Sequence, residues 1–319
     1  MAANSIELTP EWLKTLYKNC LANNGGELVE PQLNNAYFCY LKSRKKCWKT
    51  VQSVANYFST FCEPSAELSA DQMRDLLTQM FDAKWDLATF SALELGSKFH
   101  QVLRDFLAQN HLTWQQESAF VNWQLRVEKS PEEYFATLPS LLRSTIKRKT
   151  KKLQKHNHEF KLITKPNQLP AAFQDYKSIY QKSWKPAEEH IDFIEEFCGI
   201  AAQNGWLRLG ILYLNQEAIA AQIWFVYGST ASIFKLAYLP EFKEFSAGTL
   251  VTEMLMRYVL QQDNVRLVDF GMGDEPYKED WMNFKNVRHT ITVFNNNFMG
   301  KLACLRFKTL PKIKRKLLK

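Results

Sequence analysis

Val268-Asp269-Phe270-Gly271-Met272-Gly273-Asp274-Glu275-Pro276-Tyr277-Lys278 is the stretch from which the rest of the chain can be read. Its apolar start, Val265 to Phe270, predicts a strand. A Gly271-Met272-Gly273 turn follows, and then Asp274, Tyr277 and Lys278, so that carboxylate, phenol and ammonium gather just past a strand end. Ligands of open α/β sheets bind in that place, beyond the carboxyl ends of the strands. A plainer reading is that Asp269 pairs with an arginine such as Arg266 and the glycines only form a turn. The Asp-Phe-Gly triplet also occurs as a magnesium motif in protein kinases. That reading is excluded, because no G-x-G-x-x-G loop and no H-R-D precede it.

Upstream of this block the pattern predicts a strand, Ala231 to Tyr238, a loop, Leu239 to Ala247, and a helix, Thr249 to Gln261. The loop ends in Phe245-Ser246-Ala247-Gly248-Thr249. Small residues there admit a ligand close to the backbone, and the free N–H groups of the following helix attract an anion. Equally, Ser246 or Thr249 caps the helix and Gly248 eases the turn. Further back, Leu207–Leu214, Ala218–Val226 and Ala231–Tyr238 predict an antiparallel meander turning at Asn215-Gln216 and Gly228-Ser229. A strand at Glu159–Thr164 and helices at Ala171–Ser183 and Ile191–Gln203 precede it. Ser130-Pro131-Glu132-Glu133 is a helix start, with an N-cap, a proline at the first position and acids in the first turn. Leu138, Leu142, Ile146 and Leu153 then mark the apolar face of one long helix. Its outer side carries Lys147, Arg148, Lys151, Lys152 and Lys155.

The first part of the chain alternates in the same way. Ala36–Leu41, Val51–Phe58, Trp85–Leu93 and Ser118–Leu125 read as strands. Ser69 to Gln72 has capping-box spacing ahead of Met73, Leu76, Leu77 and Met80, and Lys98–Gln109 reads as a second helix. Thr290–Asn295 predicts a last strand before a basic helical end. The fold class expected is therefore α/β, or α+β, with mixed, mostly antiparallel sheets flanked by helices. A boundary near Glu128 divides the chain into two related units, 1–128 and 129–319.

The composition supports one or two globular domains of 319 residues, since 46% hydrophobic and 13% aromatic side chains can fill a sizeable core. Lysine and arginine number 41 against 33 acids, and the excess of +8 is concentrated from Arg143 to Lys155 and from Arg306 to Lys319. Such surfaces attract phosphate, as a cofactor, a carrier protein, a nucleic acid or an anionic membrane, or else are simply solvated. The six cysteines form no C-x-x-C pair and no zinc spacing, no H-E-x-x-H occurs, and His156-x-His158 is expected to be solvated, so no metal is predicted. No signal-peptide pattern opens the chain, and no stretch is apolar enough to span a membrane. The expected location is the cytoplasm, with peripheral contact at the inner membrane face.

With the glycine block come the basic helix Leu141 to Arg148, the segment Tyr176 to Trp184, the strand Ile233 to Tyr238 and the turn Ser246-Ala247-Gly248-Thr249. Together, from about Ser130 to Phe294, they resemble the GNAT superfamily of N-acetyltransferases. The likeness is to the bacterial CelD-like group, which is related to the Fem-type aminoacyltransferases. The resemblance implies tandem GNAT-like units and direct transfer of an acyl group from a thioester to an amine. It implies that the thioester arm lies between the strands Ala231–Tyr238 and Val265–Phe270. The donor, acetyl-CoA or another acyl thioester, would then meet Lys235, Ala237, Ser246, Gly248 and Thr249. Asp274 or Asp269 is expected as base, Tyr277 as acid, and Lys278 as the partner of a phosphate or carboxylate. Trp184, Gly271, Gly273 and Trp281 would line the acceptor site.

One departure concerns the phosphate loop, Glu241 to Gly248, which lacks the usual Q/R-x-x-G-x-G/A form and has Ala247 where this group more often has proline. An acyl-carrier-protein thioester or an aminoacyl-tRNA therefore stands beside coenzyme A as donor. The acceptor implied is a small-molecule or glycolipid amine of envelope polysaccharide synthesis. The alternatives are a tRNA-dependent Fem-like aminoacyltransferase, disfavoured by the lack of a coiled-coil insertion, and a non-catalytic basic protein bound to nucleic acid or membrane. Nucleic acid is the less favoured partner.

Overall fold

A computed structural model describes residues 5–309 except positions 32, 34, 35 and 83. In chain order the elements are α1 (Pro10–Leu16), β1 (Glu27–Val29), β2 (Tyr40–Lys45), β3 (Trp48–Ser53), α2 (Ala70–Phe81), β4 (Leu87–Glu94), α3 (Lys98–Gln109) and β5 (Thr113–Arg126). There follow α4 (Pro131–Thr137), α5 (Ser140–Leu153), β6 (His158–Ile163), α6 (Leu169–Lys182), α7 (Ile191–Gln203), β7 (Leu207–Leu214) and β8 (Glu217–Tyr227). The last are β9 (Thr230–Tyr238), α8 (Ala247–Gln261), β10 (Leu267–Met272), α9 (Pro276–Glu279), β11 (Phe284–Phe294) and α10 (Phe298–Cys304). The expected class, mixed and mostly antiparallel sheets flanked by helices, is the observed one.

The chain divides into two compact units, Met1–Val121 with Asn286–Lys319, and Asn122–Lys285. The expected division at Glu128 differs from this one. The chain's last strand, β11, pairs antiparallel with β4 and returns residues from Asn286 onward to the first unit. In that unit the strands run in the order β1-β2-β3-β4-β11, antiparallel except for the pair β3 and β4, which α2 connects. Met73, Leu76, Leu77 and Met80 of α2 meet Phe99, Leu103 and Leu107 of α3 and Phe90 of β4 in one core. The Ser69 hydroxyl accepts from the Gln72 N–H at 3.1 Å while the Gln72 side chain accepts from the Ser69 N–H at 2.8 Å, the capping box expected from the sequence.

In the second unit the order is β5-β10-β9-β8-β7-β6, with β5 contributing from Asn122 on. The strands are antiparallel except β9 and β10, which α8 connects. Each unit thus carries the same device, a parallel pair joined by a helix. The α8 face Leu250, Val251, Leu255 and Val259 is buried on the sheet, and Phe193, Ile194, Phe197 and Cys198 of α7 are fully buried as well. These periodic stripes are why the sequence made both helices legible.

Four expectations need correction. The single helix from Ser130 is two, α4 and α5, because Pro139 has no N–H to donate and forces Leu138 out of the helical region, to ψ 150°. The run Ala36–Leu41 enters a strand only at Tyr40. Before it, the Tyr37 backbone is tied to Ser65, donating to the hydroxyl at 2.7 Å and accepting from the N–H at 2.9 Å. The run Val51–Phe58 leaves the sheet after Ser53, where Asn56 accepts from the Phe58 N–H at 2.8 Å and makes a local turn. The last strand starts at Phe284 rather than Thr290. Of the basic tail, Arg306 and Lys308 lie in a π-helical turn, Leu305–Thr309. Lys312, Lys314, Arg315, Lys316 and Lys319 fall outside the described residues.

Among the described residues no helix is long and apolar enough to cross a membrane. Removing the hydroxyl that caps α2, by Ser69→Ala, should lower the stability of the first unit by about 1 kcal/mol, read as a lower urea midpoint with unchanged slope.

Candidate functional site

The parallel pair of the second unit is short. Thr230, Ala231 and Ser232 of β9 pair with Leu267, Val268 and Asp269 of β10, and there the pairing stops. Both strands continue, β9 to Tyr238 and β10 to Met272. Each is bent away by an irregularity on its other side. Ile233 faces Trp224 but Lys235 faces Ile223, which leaves Phe234 as an extra residue in β9. The β10–β5 register likewise shifts between Asp269 and Met272. Bulges of this kind bend a strand and re-aim its side chains. Beyond Ser232, therefore, the backbone of β9 faces a slot that β10 does not fill. Gly271, at φ 70°, stands opposite, where a Cβ would come within 3.7 Å of the Ile233 carbonyl. An extended ligand can lie there and bond the free strand edge.

What holds β10 in this course is the Asp269 carboxylate, 2% exposed. Its Oδ1 accepts from Asn122 Nδ2 at 2.8 Å and from the Gly271 N–H at 2.7 Å, and its Oδ2 accepts from Gln124 Nε2 at 2.7 Å. Burying a charge is costly unless it is hydrogen-bonded, and here donors from β5 and from the turn meet that need. This position corrects the expectation of Asp269 as a base. It is occupied in fixing β5 to β10 and in setting the left-handed turn at Gly271.

The loop after Met272 is fastened from below. Lys278 is 3% exposed, and its ammonium donates to the Met272 carbonyl at 2.6 Å and to Glu275 Oε2 at 2.9 Å. Gly273, at φ 120°, leaves the room in which the Glu275 carboxylate lies, which any Cβ would occupy. Burial pushes the Glu275 carboxyl up, but the Lys278 hydrogen bond, with the charges of Lys278 and Lys185, holds it below its usual range. Asp274 is exposed, and the hydrogen bond from Lys285 at 2.8 Å, then that from Trp123 Nε1 at 2.9 Å, hold it low too. Both interactions weaken it as a base. Tyr277 packs edge-on to Phe270 at 5.5 Å, and burial, then the Glu275 charge, push its phenol up to about 12.

Opposite this loop stands a group that sequence reading missed. Glu188, from the segment between α6 and α7, is bonded to the Lys235 ammonium with both side chains buried. The Lys235 ammonium is held below its usual value because desolvation outweighs Glu188. Lys185, three residues before Glu188, makes no hydrogen bond through its ammonium among the described residues. Desolvation first, then the Lys235 charge, lower it to about 8, while Glu188 and Glu275 act the other way. Trp184 packs against Tyr238, with ring centroids 4.3 Å apart and planes tilted by 45°, and remains 55% exposed, an aromatic wall left open to a ligand. The signal for Lys185 and Glu188 was weak. They lie in an irregular, charge-rich connection with no periodic pattern, and only their proximity to Trp184 set them apart.

The start of α8 closes the other end of the slot. Ser246 is in the left-handed region at φ 51° and bonds no helix N–H through its side chain. Gly248 lies in the first turn, under the Tyr238 ring, where a Cβ would approach to 3.3 Å. A buried network fixes that turn. Gln222 Nε2 donates to the Gly248 carbonyl at 2.9 Å and to the Thr252 hydroxyl at 2.7 Å, and Trp224 Nε1 donates to Gln222 Oε1 at 2.8 Å. The helix begins at Ala247, two residues before the expected Thr249, so Ala247 and Gly248 are helical as well.

Ala237 is fully buried in the sheet, so only its backbone can meet a ligand. Trp281 is 4% exposed, and its carbonyl accepts from the Tyr134 hydroxyl at 2.9 Å. It lines a separate cavity with Tyr134, Leu138 and Pro139, which corrects its expected place beside Trp184. Among the described residues no three His, Cys, Asp or Glu side chains are arranged to hold a metal ion.

Asp269→Ala would remove the acceptor shared by the Asn122 amide, the Gln124 amide and the Gly271 N–H. It should destabilise the second unit by about 3 kcal/mol or more, visible as a fall in denaturant midpoint.

Residues 140–279, somewhat under half the chain, match the family model described as "Acetyltransferase (GNAT) domain". Among solved structures the chain is similar to FemX, with TM-score 0.66 and 11% identity over 93% of this chain and 94% of that one. It is similar to L-PGS from Bacillus licheniformis at TM-score 0.60 and 11% identity, covering 95% and 97%. A third is the C-terminal domain of a putative lysylphosphatidylglycerol synthetase from Agrobacterium fabrum, at TM-score 0.56 and 10% identity, covering 91% of each. Identities this low show the fold alone. No curated protein sequence matches this chain significantly. The family match falls on the unit that holds the parted strands and the lysine–glutamate group, and within residues 140–279 the chain matches a GNAT acetyltransferase domain.

Proposed function

We propose that the second unit transfers an acyl group from a thioester to the nitrogen of an amine acceptor. The observation that carries this reading is the parting of β9 and β10 after Ser232 and Asp269, with ionisable groups gathered where the strands diverge. The donor's arm lies along β9 from Ile233, with backbone bonds to the strand edge, including that at Ala237. Its phosphates meet the start of α8 at Ser246, Gly248 and Thr249, where helix N–H groups and the helix dipole favour negative charge. No metal takes part in this scheme.

The acceptor enters beside Trp184, Gly271 and Gly273. An amine attacks only when neutral, so its proton must leave near neutral pH. Asp269 and Asp274 are poor candidates for that task, for the reasons given by their partners. Lys185 in its neutral form is better placed, because an ammonium lowered to about 8 releases its proton within the working range. Backbone N–H groups of β9 donate to the oxyanion as the carbonyl becomes tetrahedral. Tyr277, raised to about 12, stays protonated and donates to the leaving thiolate. Lys235 with Glu188 and Lys278 with Glu275 hold fixed charges around the reacting atoms, and Lys278 is a receptor for an acceptor phosphate or carboxylate only if Glu275 swings away.

A glycolipid or amino-sugar amine, as in the envelope-polysaccharide role of CelD-like enzymes, fits an open aromatic wall at Trp184. A cytoplasmic enzyme working at the inner membrane face would meet such an acceptor.

A thermal-shift series with acetyl-CoA, longer acyl-CoA thioesters and free CoA tests the donor. A thioester at ~100 times its dissociation constant should stabilise the protein by about 2.7 kcal/mol, and Gly248→Trp should abolish the shift. No shift with any thioester, together with RNase-sensitive transfer, would replace this reading by an aminoacyl-tRNA donor. The rate should rise with pH through about 8 as Lys185 loses its proton. In Lys185→Met that limb should vanish and kcat fall by about 100-fold, while KM for the thioester stays within a factor of two. A Lys185→Met profile that keeps the limb would remove the lysine from the proton path.

A further inference from the structure

The cations of α5 are not used by the reaction outlined above, and their arrangement is specific. Leu141, Ser144, Arg148, Lys151 and Lys155 recur at helical spacing and are all exposed, with Lys147 beside them. Leu141, at the head of the stripe, is 77% exposed. An isolated exposed leucine is ordinary, but here it continues a row of cations along an open groove of about 650 Å³.

The inner cations of the same helix are engaged differently. Lys149 donates to the Glu244 carbonyl, and Lys152 pairs with the Glu244 carboxylate at 2.6 Å. Lys152 also lies over the Phe245 ring, 4.7 Å from its centroid. Glu244 and Phe245 belong to the turn that leads directly into Ser246 and α8. Thus α5 is clamped against the phosphate end of the slot, and its free cations flank the entrance there.

We propose that this face docks an acyl carrier protein, a small acidic protein that presents its acyl group on a phosphopantetheine arm. The inference rests on the thioester reading of the slot and names the donor's carrier. Geometry favours it. The arm's phosphate belongs at the start of α8, so whatever carries the arm must sit outside that point, on α5. Charge and size favour it as well. The α5 helix is about 21 Å long at 1.5 Å per residue, the length of one acidic helix laid against it. Exposed cations are densest in α5; beyond it they alternate with acids, Lys129 with Glu132 and Glu133 before it and Lys161, paired with Glu159, after it, a pattern less suited to a long polyanion such as RNA. The exposed Leu141 offers an apolar contact that a protein can use and a phosphate backbone cannot.

The test uses the full chain and a triple variant, K147E/R148E/K151E, with circular dichroism and Tm as controls for folding. Binding is read by fluorescence anisotropy with fluorescein-labelled holo acyl carrier protein, and turnover with one acyl chain carried either on that protein or on coenzyme A. The variant should bind the carrier about tenfold or more weakly and lose kcat/KM for the carrier thioester in proportion, with kcat/KM for the acyl-CoA unchanged. Leu141→Ser should weaken carrier binding in a way that added salt does not mask. Equal carrier binding by wild type and variant would overturn the proposal. So would loss of labelled tRNA binding alone, which would assign the face to RNA. If neither thioester is turned over but carrier binding is still lost in the variant, the acyltransfer reading fails and the docking face stands.

Discussion

One buried carboxylate organises the second unit. Asp269 sits at the last position where β10 pairs with β9, removed from water, and takes donors from Asn122, Gln124 and the Gly271 N–H. Those bonds tie β10 to β5 just where β10 leaves β9. A charge buried this deeply has few acceptable arrangements, so the strand end, the left-handed glycine and the direction of the loop are set together. Slot and loop follow from that choice. Lys278 then seals the loop from inside through the Met272 carbonyl and Glu275.

The chemistry of the opposing wall has a similar origin. Lys235 and Lys185 are drawn out of water by the packing around Trp184 and Tyr238, and only Lys235 has its carboxylate bonded to it. Desolvation favours the neutral amine, and a neighbouring lysine charge adds to the effect on Lys185. A lysine with an ordinary exposed ammonium keeps its proton near neutrality, and burial without a close carboxylate loosens that hold.

The helix ends divide the work in another way. The first turn of α8 is held by Gln222 and Thr252, a buried amide and hydroxyl rather than a capping side chain. This leaves the Ser246 side chain and the leading N–H groups without an internal helix cap, as an anion site requires. The α5 helix is pinned alongside by Lys149 and Lys152 on Glu244, which spends two cations on structure and leaves the outer row for solvent or a partner.

The sequence by itself determined the elements whose physics is local. Ser69 with Gln72 and the Met73–Met80 stripe specified α2, and the apolar runs from Leu207 to Tyr238 with their turns at Asn215-Gln216 and Gly228-Ser229 specified the meander, because helix periods and strand–turn punctuation are written in neighbouring residues. The order of strand, glycine turn, Tyr277 and Lys278 also pointed to a candidate site, since a strand's end is a local feature. Roles were decided by contacts far apart in the chain. Asp269 and Asp274 were both candidate bases until Asn122, Gln124, Trp123 and Lys285 were brought to them. Lys185 and Glu188 carried no pattern at all, because their character comes from burial beside Lys235, Glu275 and Lys278. The return of β11 to β4, which moved the unit boundary, is a pairing of residues near opposite ends of the chain. No local propensity encodes such a choice, and only the tertiary structure makes it.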